Sequence, residues 1–260
     1  MKLQISPPMQ TAFLIITGDE DLCRRLQLKH GKYLHRHQTG GPAEVIEYSD
    51  NRLTFHGETI ETPDPLHEID RIMFEHTRYD DSVYALHGAA VEYGGAAYLF
   101  LASTTSGKTT LASYLANKGF GYITDDCILL NRGDYKIHPY NTPIHLREGG
   151  LEVLKNLGIS PDTVCLEAKY ASRYIYTPEN CVTEPLPLGR IFFIERTEDE
   201  NLVVPMRATE SMTGLLHAPI TDYAVTGDYL RFLSRLVKSQ NICRLKYSDM
   251  EYVSEVLRNG

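Results

Sequence analysis

The most informative segment of this 260-residue chain is Ala102-Ser103-Thr104-Thr105-Ser106-Gly107-Lys108-Thr109. It follows an apolar run at residues 97–101 and precedes a helix-like segment from Thr110 to Lys118. A phosphate-binding loop requires this order of strand, loop and helix, because loop N–H groups and the helix N-terminus face the phosphate. The segment fits the pattern G-x-x-x-x-G-K-[ST], except that alanine replaces the first glycine. The sequence therefore predicts a P-loop here, although an isolated Gly-Lys-Thr is also common in surface turns.

The expected ligands of this loop are ATP and Mg²⁺. In such loops the lysine, here Lys108, reaches the β- and γ-phosphates, and the hydroxyl of Thr109 binds the metal. The residues predicted to contact the nucleotide are Ser103, Thr104, Thr105, Ser106, Gly107, Lys108, Thr109 and Thr110.

A pair of adjacent aspartates follows the predicted helix, which is expected to end at Gly119. Residues 122–130 form an apolar, β-branched run that Asp125 and Asp126 interrupt. Carboxylates inside such a strand are costly to bury unless they are paired or bound to a metal, whereas one aspartate on an edge strand would be ordinary. Since adjacent strand residues point to opposite faces, both serve one site only if the strand kinks or ends there. We predict a catalytic or Mg²⁺-binding role for at least one of them.

A histidine lies upstream, in the predicted strand at residues 84–93. Gly94-Gly95 then forms a tight hairpin turn into the strand that precedes the loop. The two strands are therefore expected to be antiparallel neighbours. An isolated histidine such as His87 is more often a hydrogen-bonded core residue than a catalyst, so the strand pattern alone leaves its role open.

Taken together, these features resemble one known family. His87-Gly88-Ala89-Ala90-Val91, a Gly-Gly turn, an apolar strand, Ser106-Gly107-Lys108-Thr109-Thr110, a helix and the aspartate pair follow one another as in the HPr kinase/phosphorylase family. The order resembles even more closely that of HPr-kinase-related proteins, which include kinases of lasso-peptide precursors. The likeness covers His87 to about Leu130 and extends loosely through residues 138–146 and 186–196. It implies an HPr-kinase/phosphoenolpyruvate-carboxykinase-like nucleotide fold, with Asp126 as catalytic base, Asp125 near the metal and His87 beside them.

The composition narrows the classes of function. The composition, with 42% hydrophobic and 23% charged residues, is that of an ordinary soluble globular protein. The net charge of −8 disfavours nucleic acid as a partner. No apolar run approaches the ~20 residues that span a bilayer, and the N-terminus is too polar for a signal peptide, so we expect a cytoplasmic protein without membrane contact. The five scattered cysteines form no C-x-x-C pair, which disfavours a disulfide framework or zinc site.

Two domains are expected: a β-rich N-terminal lobe at residues 1–62 and a kinase domain at residues 63–260. In the lobe, residues 11–17 are a predicted strand, and residues 44–49 and 52–56 a predicted hairpin. The basic stretch from Lys29 to His37 is expected to be a solvated loop or an acceptor-binding loop. Pro63-Asp64-Pro65 marks the boundary, after which a helix through His76 should cover the following sheet.

The predicted fold of the second domain is α/β, a mixed sheet flanked by helices. The expected elements after the aspartates are a hairpin turn at 131–134, a helix at 151–157, an irregular segment at 165–189, a strand at 191–195 turned back into 202–204, helices at 210–217, 228–238 and 249–258, and a strand at 243–247. The irregular segment holds Lys169 and Arg173, which could close over phosphates or simply face solvent.

These observations lead us to expect an ATP-dependent kinase that acts on a hydroxyl group. Asp126 would accept the hydroxyl proton, with His87 tuning it. The resemblance favours a serine or threonine of a protein or peptide as acceptor, and the N-terminal lobe is expected to help bind it. A small hydroxylated metabolite and a non-catalytic nucleotide-binding regulator remain alternatives, and a homo-oligomer is compatible with either.

Overall fold

A computed structural model describes residues 1–36, 43–102, 106–167, 172–220 and 226–259. The chain forms two compact units. The first comprises Met1–Asp80, Thr142–Gly149 and Pro161–Thr177, and the second Asp81–Asn141, Gly150–Ser160 and Pro178–Gly260. The first unit thus extends beyond the boundary expected at residue 62, and it also includes two later segments of the chain. The described residues contain seven α-helices and mixed β-sheets, which is the α/β class that the sequence predicted.

The first unit is built on a six-stranded sheet with the order β3-β1-β2-β4-β5-β6. Strand β2 pairs in parallel with β4, and the other neighbours are antiparallel. The β4–β5 hairpin turns through Asp50 and Asn51, both with positive φ, as a tight two-residue turn requires. Its elements are β1 Lys2–Ile5, β2 Phe13–Thr17, α1 Glu20–His30, β3 Leu34–Arg36, β4 Glu44–Ser49, β5 Arg52–Phe55, β6 Glu58–Glu61 and α2 Pro65–His76.

Helix α1 corrects the expectation of a solvated basic loop. Lys29 and His30 end this helix, and Leu34–Arg36 form strand β3, while His37 lies outside the described residues. The side chain of Asp19 accepts a hydrogen bond from the N–H of Leu22 and so caps the helix. The pattern escaped detection because charged residues dominate it and its buried side chains are few.

The chemistry of the basic stretch also differs from the expectation. His30 is buried, and Lys29 forms an ion pair with Asp70 of α2. Lys29 therefore has a structural partner. A role of the first unit in binding the acceptor stays a prediction.

Helix α2 forms where the sequence predicted it, but it packs on the preceding sheet. Leu66, Ile69 and Ile72 belong to the same core as Ile15 and Ile46 of the first sheet. The apolar face of the helix is buried there, which explains why the first unit continues to Asp80.

A three-stranded sheet completes the first unit. It comprises β12 Ile144–Leu146, β13 Val164–Leu166 and β14 Arg173–Tyr176, in the order β12-β14-β13. Leu166 and Ile175 add their side chains to the core of this unit. The segment expected to be irregular therefore contains strands. Arg173 begins β14, whereas Lys169 lies outside the described residues.

The second unit is built on a sheet with the order β11-β10-β7-β8-β15-β17-β16, and β9 also pairs with β7. Strands β8, β15 and β17 are mutually parallel, and the remaining neighbours are antiparallel. Its elements are β7 Val83–Tyr93, β8 Ala96–Leu101, α3 Lys108–Asn117, β9 Gly121–Thr124, β10 Cys127–Asn131, β11 Ile137–His138, β15 Leu188–Arg196, β16 Leu202–Pro205, α5 Ala208–Leu216, α6 Gly227–Ser239, β17 Ile242–Tyr247 and α7 Met250–Asn259. Helix α4 spans Glu148–Asn156.

One expected hairpin does not form. The turn at residues 197–201 leads from β15 to β16, but β16 pairs with β17, which lies between them in the sheet. Ile191 of β15 is opposite Ile242 of β17, in parallel register. Local turn signals predicted a pairing with the next strand, whereas the apolar strand that returns after two helices takes that place.

Side chains of this sheet alternate between two faces. On one face, Leu99, Leu101 and Ile191 share a core with residues of α5 and α6, including Leu215 and Leu233. On the other face, the rings of Phe100 and Phe192 stack with centroids 6.0 Å apart, and Tyr93 contacts Phe120, the residue that leads out of α3. The sheet thus separates the α5–α6 side from the α3 side. No helix among the described residues has the length and hydropathy needed to cross a bilayer.

Gly88 marks the place where β7 changes neighbours. Its N–H donates to the carbonyl of Asp126, and Leu101, the last residue of β8, is opposite it in the ladder. A Cβ atom at this position would lie 2.7 Å from side-chain carbons of Ile128 and Leu101 and 2.8 Å from the carbonyl oxygen of Phe100. Glycine is therefore required here by close packing.

We predict that Gly88→Ala lowers the free energy of unfolding by about 1–3 kcal/mol, the usual cost of overpacking a core. Urea denaturation of the variant and the parent measures it. Gly149→Ala is the control, because Gly149 is a helical residue whose added Cβ would meet open space. The control should be neutral or gain up to about 1 kcal/mol. Equal effects of the two substitutions would contradict the packing argument.

Candidate active site

The three parallel strands of the second unit end on the same side of their sheet. Strand β8 ends at Leu101, β15 at Arg196 and β17 at Tyr247. Ligands of open α/β sheets bind at the carboxyl ends of such strands. Helix α3 begins at Lys108, shortly after β8, and the segment between them is the predicted phosphate loop. Ser103, Thr104 and Thr105 lie outside the described residues, whereas Ala102 and Ser106 on either side of them are described.

Gly107 precedes the first helical residue with φ of 90°, in the left-handed region. A side chain disfavours this conformation, which gives a physical reason for glycine here. Lys108 follows as the first residue of α3, and Thr109 and Thr110 lie in the same first turn. The N-terminal turn of a helix presents unpaired N–H groups and partial positive charge, so an anion is favoured at this position.

The Lys108 side chain is buried, with 6% of its surface exposed. Its ammonium group donates a hydrogen bond to the carbonyl of Ala102, at 3.0 Å. Burial lowers the pKa of Lys108, while the charge of Asp126 acts in the opposite direction. The ammonium group is therefore held at the loop in surroundings where a further negative charge would be stabilised.

The aspartate pair lies between two strands. Strand β9 ends at Thr124 and β10 begins at Cys127, and both pair with β7. The hydroxyl of Thr124 accepts a hydrogen bond from the N–H of Cys127, at 3.3 Å, and this bond stabilises the interruption between the two strands. The two aspartates thus leave regular strand geometry, which is the condition under which neighbours can serve one site.

Asp125 is buried, with 8% of its surface exposed. The hydroxyl of Tyr122 donates to its carboxylate at 2.9 Å, and the hydroxyl of Thr109 also bonds to it. Burial, followed by repulsion from Asp126, raises the pKa of Asp125 to about 7, and the two hydrogen bonds oppose that rise. The first turn of α3 is thereby connected directly to the break between β9 and β10.

Asp126 differs from its neighbour in accessibility. Its side chain is 77% exposed, and its carboxylate oxygen Oδ1 lies 3.3 Å from Nδ1 of His87. The backbone N–H of His87 donates to the carbonyl of Ala218, so the strand that carries the histidine is fixed on both sides. The structure thus brings together a buried carboxylate, an accessible one and an imidazole, beside the start of α3.

Sequence reasoning missed Tyr247 as a residue of this site. Within the described ranges, its hydroxyl and the hydroxyl of Ser106 are buried without a hydrogen-bond partner. A Cβ placed on Gly107 would lie 3.5 Å from the Tyr247 hydroxyl, which puts that group beside the loop. Burial raises the pKa of Tyr247 to about 12, so the hydroxyl is a neutral donor. A tyrosine at the end of a strand indicates a site residue only once β17 is known to run parallel to β8, because the two strands then end on the same side of the sheet.

Oxygen ligands for a divalent cation are present on both sides of the site. The hydroxyl of Thr109 and the carboxylate of Asp125 are the hard donors that Mg²⁺ prefers. The described residues contain no group of three or more histidine, cysteine or acidic side chains that could hold a metal alone. Magnesium sites in phosphoryl-transfer proteins commonly use one or two protein oxygens and complete the shell with phosphates and water.

Comparisons with known proteins show a distant likeness to solved structures. No family model matches the chain, and no curated protein matches it. Among solved structures, the chain is similar to the Hpr(Ser) kinase/phosphatase from Coxiella burnetii, at 10% sequence identity and a TM-score of 0.35. The similarity covers 67% of this chain and 94% of that one.

We predict that Asp125 makes stability fall with rising pH. Its pKa rises from 3.8 in the unfolded chain to about 7 in the folded one. At pH values between these two, the folded protein therefore keeps a proton that the unfolded chain loses. The stabilisation is complete below about pH 4 and is lost as pH rises through about 7. Urea denaturation at several pH values in EDTA should show this slope, and Asp125→Asn should remove it. At roughly 1.36 kcal/mol per pKa unit, the difference is at most about 4 kcal/mol. Parallel profiles for the two proteins would contradict the assignment.

Proposed function

We propose that the protein is an ATP-dependent kinase that transfers the γ-phosphate to a hydroxyl group, with a serine or threonine of a protein or peptide as acceptor. One observation carries the proposal. Thr109, in the first turn of α3, is hydrogen-bonded to buried Asp125, while adjacent Asp126 is accessible and 3.3 Å from His87. A phosphate-binding element and an accessible base therefore lie side by side, as phosphoryl transfer requires.

The binding of ATP is supported by three side chains beside the predicted phosphate loop. Lys108 is a buried cation at a helix N-terminus, and the hydroxyls of Ser106 and Tyr247 are unpartnered among the described residues. Phosphate oxygens would accept hydrogen bonds from all three side chains. Buried hydroxyls without a partner, as at Ser106 and Tyr247, are costly in a folded protein unless a ligand or water meets them.

Thr109 and Asp125 are the residues that would hold Mg²⁺. When bound, the ion neutralises charge on the phosphates and on the leaving group. Asp125 also fits this role electrostatically, because a cation beside it would offset the burial that now favours its protonated form.

Asp126 is the proposed base. In the transfer, the acceptor oxygen forms a bond to the γ-phosphorus and the bond from that phosphorus to the β–γ bridging oxygen breaks. The hydroxyl proton passes to the carboxylate of Asp126. His87 lies against that carboxylate and orients it, so the oxygen that receives the proton is positioned before the reaction. An exposed carboxylate is a weak base, so its larger contribution is the alignment of the hydroxyl.

A nucleotide-binding regulator without transfer activity is the second candidate. It is favoured by Ala102, which replaces the first loop glycine and whose carbonyl accepts the hydrogen bond from Lys108. Such a protein would bind ATP through the same loop but show no turnover that depends on an acceptor.

Lys108→Ala should abolish measurable ATP binding and all transfer, because it removes the buried cation that faces the phosphates. Isothermal titration with a non-hydrolysable ATP analogue in Mg²⁺ measures the first effect. Lys118→Ala is the control, since Lys118 lies just beyond the other end of α3 and pairs with Glu251 at the surface. If Lys108→Ala bound the analogue as tightly as the control does, the nucleotide site would be misplaced.

Asp126→Asn should leave the affinity for the ATP analogue within about threefold and reduce transfer by roughly 10²–10⁴, the usual scale for losing a general base. The assay is phosphate transfer from labelled ATP to serine-containing peptides under single-turnover conditions. Asp134→Asn, at an exposed aspartate in the turn after β10, is the matched control. A protein that binds ATP but transfers no phosphate, with or without the substitution, is the regulator instead.

A further inference from the structure

A basic groove lies in the second unit, outside the site described above. It has a volume of about 560 Å³ and is lined by three arginines, two aromatic rings and one carboxylate. We call it the arginine groove, and its defining residues are Arg132, Arg231, Arg235, Tyr84, Phe232 and Asp228.

The arginines come from two elements. Arg231 and Arg235 are four residues apart on α6 and therefore share one face of that helix. Arg132 follows β10, its guanidinium stacks 3.9 Å from the ring centroid of Tyr84, and its Nε donates to the carbonyl of Val83. The plane of this guanidinium is thus fixed, which reduces the entropy lost when it binds a ligand.

The charges of the groove are not balanced within it. Asp228 pairs with Arg231 at 2.5 Å, but both side chains are mostly exposed, so this ion pair is weak and Arg231 can exchange it for a carboxylate of a ligand. In the part of the chain that the structure describes, Arg132 and Arg235 form no ion pair. With three arginines and one aspartate, the groove carries a net charge of +2 in a chain whose net charge is −8. The complementary ligand is therefore an anion that carries at least two charges.

The spacing of the cations favours carboxylates on a peptide. Residues four apart on a helix are separated by about 6 Å along its axis. Alternate side chains of an extended peptide are separated by about 6.7 Å, so two acidic residues at positions i and i+2 match Arg231 and Arg235. Each carboxylate can receive two parallel hydrogen bonds from a guanidinium. Phe232 and Tyr84 are only 2% and 4% exposed, so this groove offers no open ring on which a nucleobase could stack.

The arginine groove lies on the α5–α6 face of the sheet. Tyr84 packs against Tyr229 and Phe232 of α6. His87 is three residues further along β7, and an odd separation in a strand puts two side chains on opposite faces. A ligand in the groove is therefore on the other side of the sheet from His87.

We propose that the arginine groove binds an acidic peptide segment of a partner protein, with carboxylates at alternate positions of an extended chain. The segment places two carboxylates against Arg231 and Arg235, and a third acidic residue can reach Arg132. This binding is independent of the proposed kinase activity, because no group of the site beside α3 takes part in it.

The test is fluorescence anisotropy with the full-length protein and a labelled ten-residue peptide of alternating glutamate and glycine. The matched probe has glutamine in place of each glutamate. The glutamate peptide should bind in low salt and weaken as salt rises, and the glutamine peptide should bind at least about tenfold more weakly. Arg235→Glu should weaken the glutamate peptide by about tenfold or more. Circular dichroism melts verify that each variant is folded, which is expected because Arg235 is exposed.

Lys238→Glu is the matched control, because Lys238 lies on the same helix but does not line the groove. It should change the affinity by less than about twofold. Equal losses for Lys238→Glu and Arg235→Glu would mean attraction to the whole surface and would overturn the proposal. So would unaltered binding to Arg235→Glu. If inorganic phosphate saturates the groove and the glutamate peptide does not bind, the ligand is a phosphate compound and the peptide proposal is wrong. Loss of ATP binding in Lys108→Ala has no bearing on these outcomes.

Discussion

The register of β7 against its neighbours sets the relative positions of His87, the aspartate pair and the start of the predicted phosphate loop. On one edge, Gly88 is opposite Leu101, where β8 ends and the chain leaves toward the phosphate loop. On the other edge, the N–H of Gly88 donates to the carbonyl of Asp126. The start of the loop and the aspartate pair are therefore fixed on the two sides of a single residue, with His87 next to it. A shift of one residue would turn His87 toward the opposite core and separate it from Asp126.

Burial of charge at this site is unfavourable to the protein by itself. The pKa of Asp125 is raised and that of Lys108 is lowered, so for both groups the surroundings favour the neutral form. The extensive apolar core on both faces of the sheet offsets this cost. Groups held in surroundings that disfavour their charge are common at functional sites, because a ligand of opposite charge recovers the lost energy. The burial that disfavours the charges of Lys108 and Asp125 is therefore also what would favour the proposed binding of Mg·ATP.

Much of the local structure could be predicted from the sequence, because turn and cap signals act over a few residues. Gly94 and Gly95 both adopt positive φ in the hairpin between β7 and β8, and the helix after the loop ends near Gly119, which also has positive φ. Non-local pairing could not be predicted in the same way. The position of β17 between β15 and β16, and with it Tyr247 beside Gly107, depends on which apolar strand returns to the sheet. Helix α1 was missed because tertiary packing, rather than its charged sequence, stabilises it.

The same strand carries the candidate active site and one wall of the arginine groove, on opposite faces. Side-chain alternation in β7 allows this, because Tyr84 and His87 are close in sequence yet separated by the sheet. Coupling between the two places would require β7 to move relative to β8 or β10. Its ladders with both neighbours and the close packing around Gly88 oppose such a movement. A packed core changes between discrete arrangements and does not deform continuously. The two faces should therefore act separately, so that a ligand in the groove leaves the contact between Asp126 and His87 unchanged.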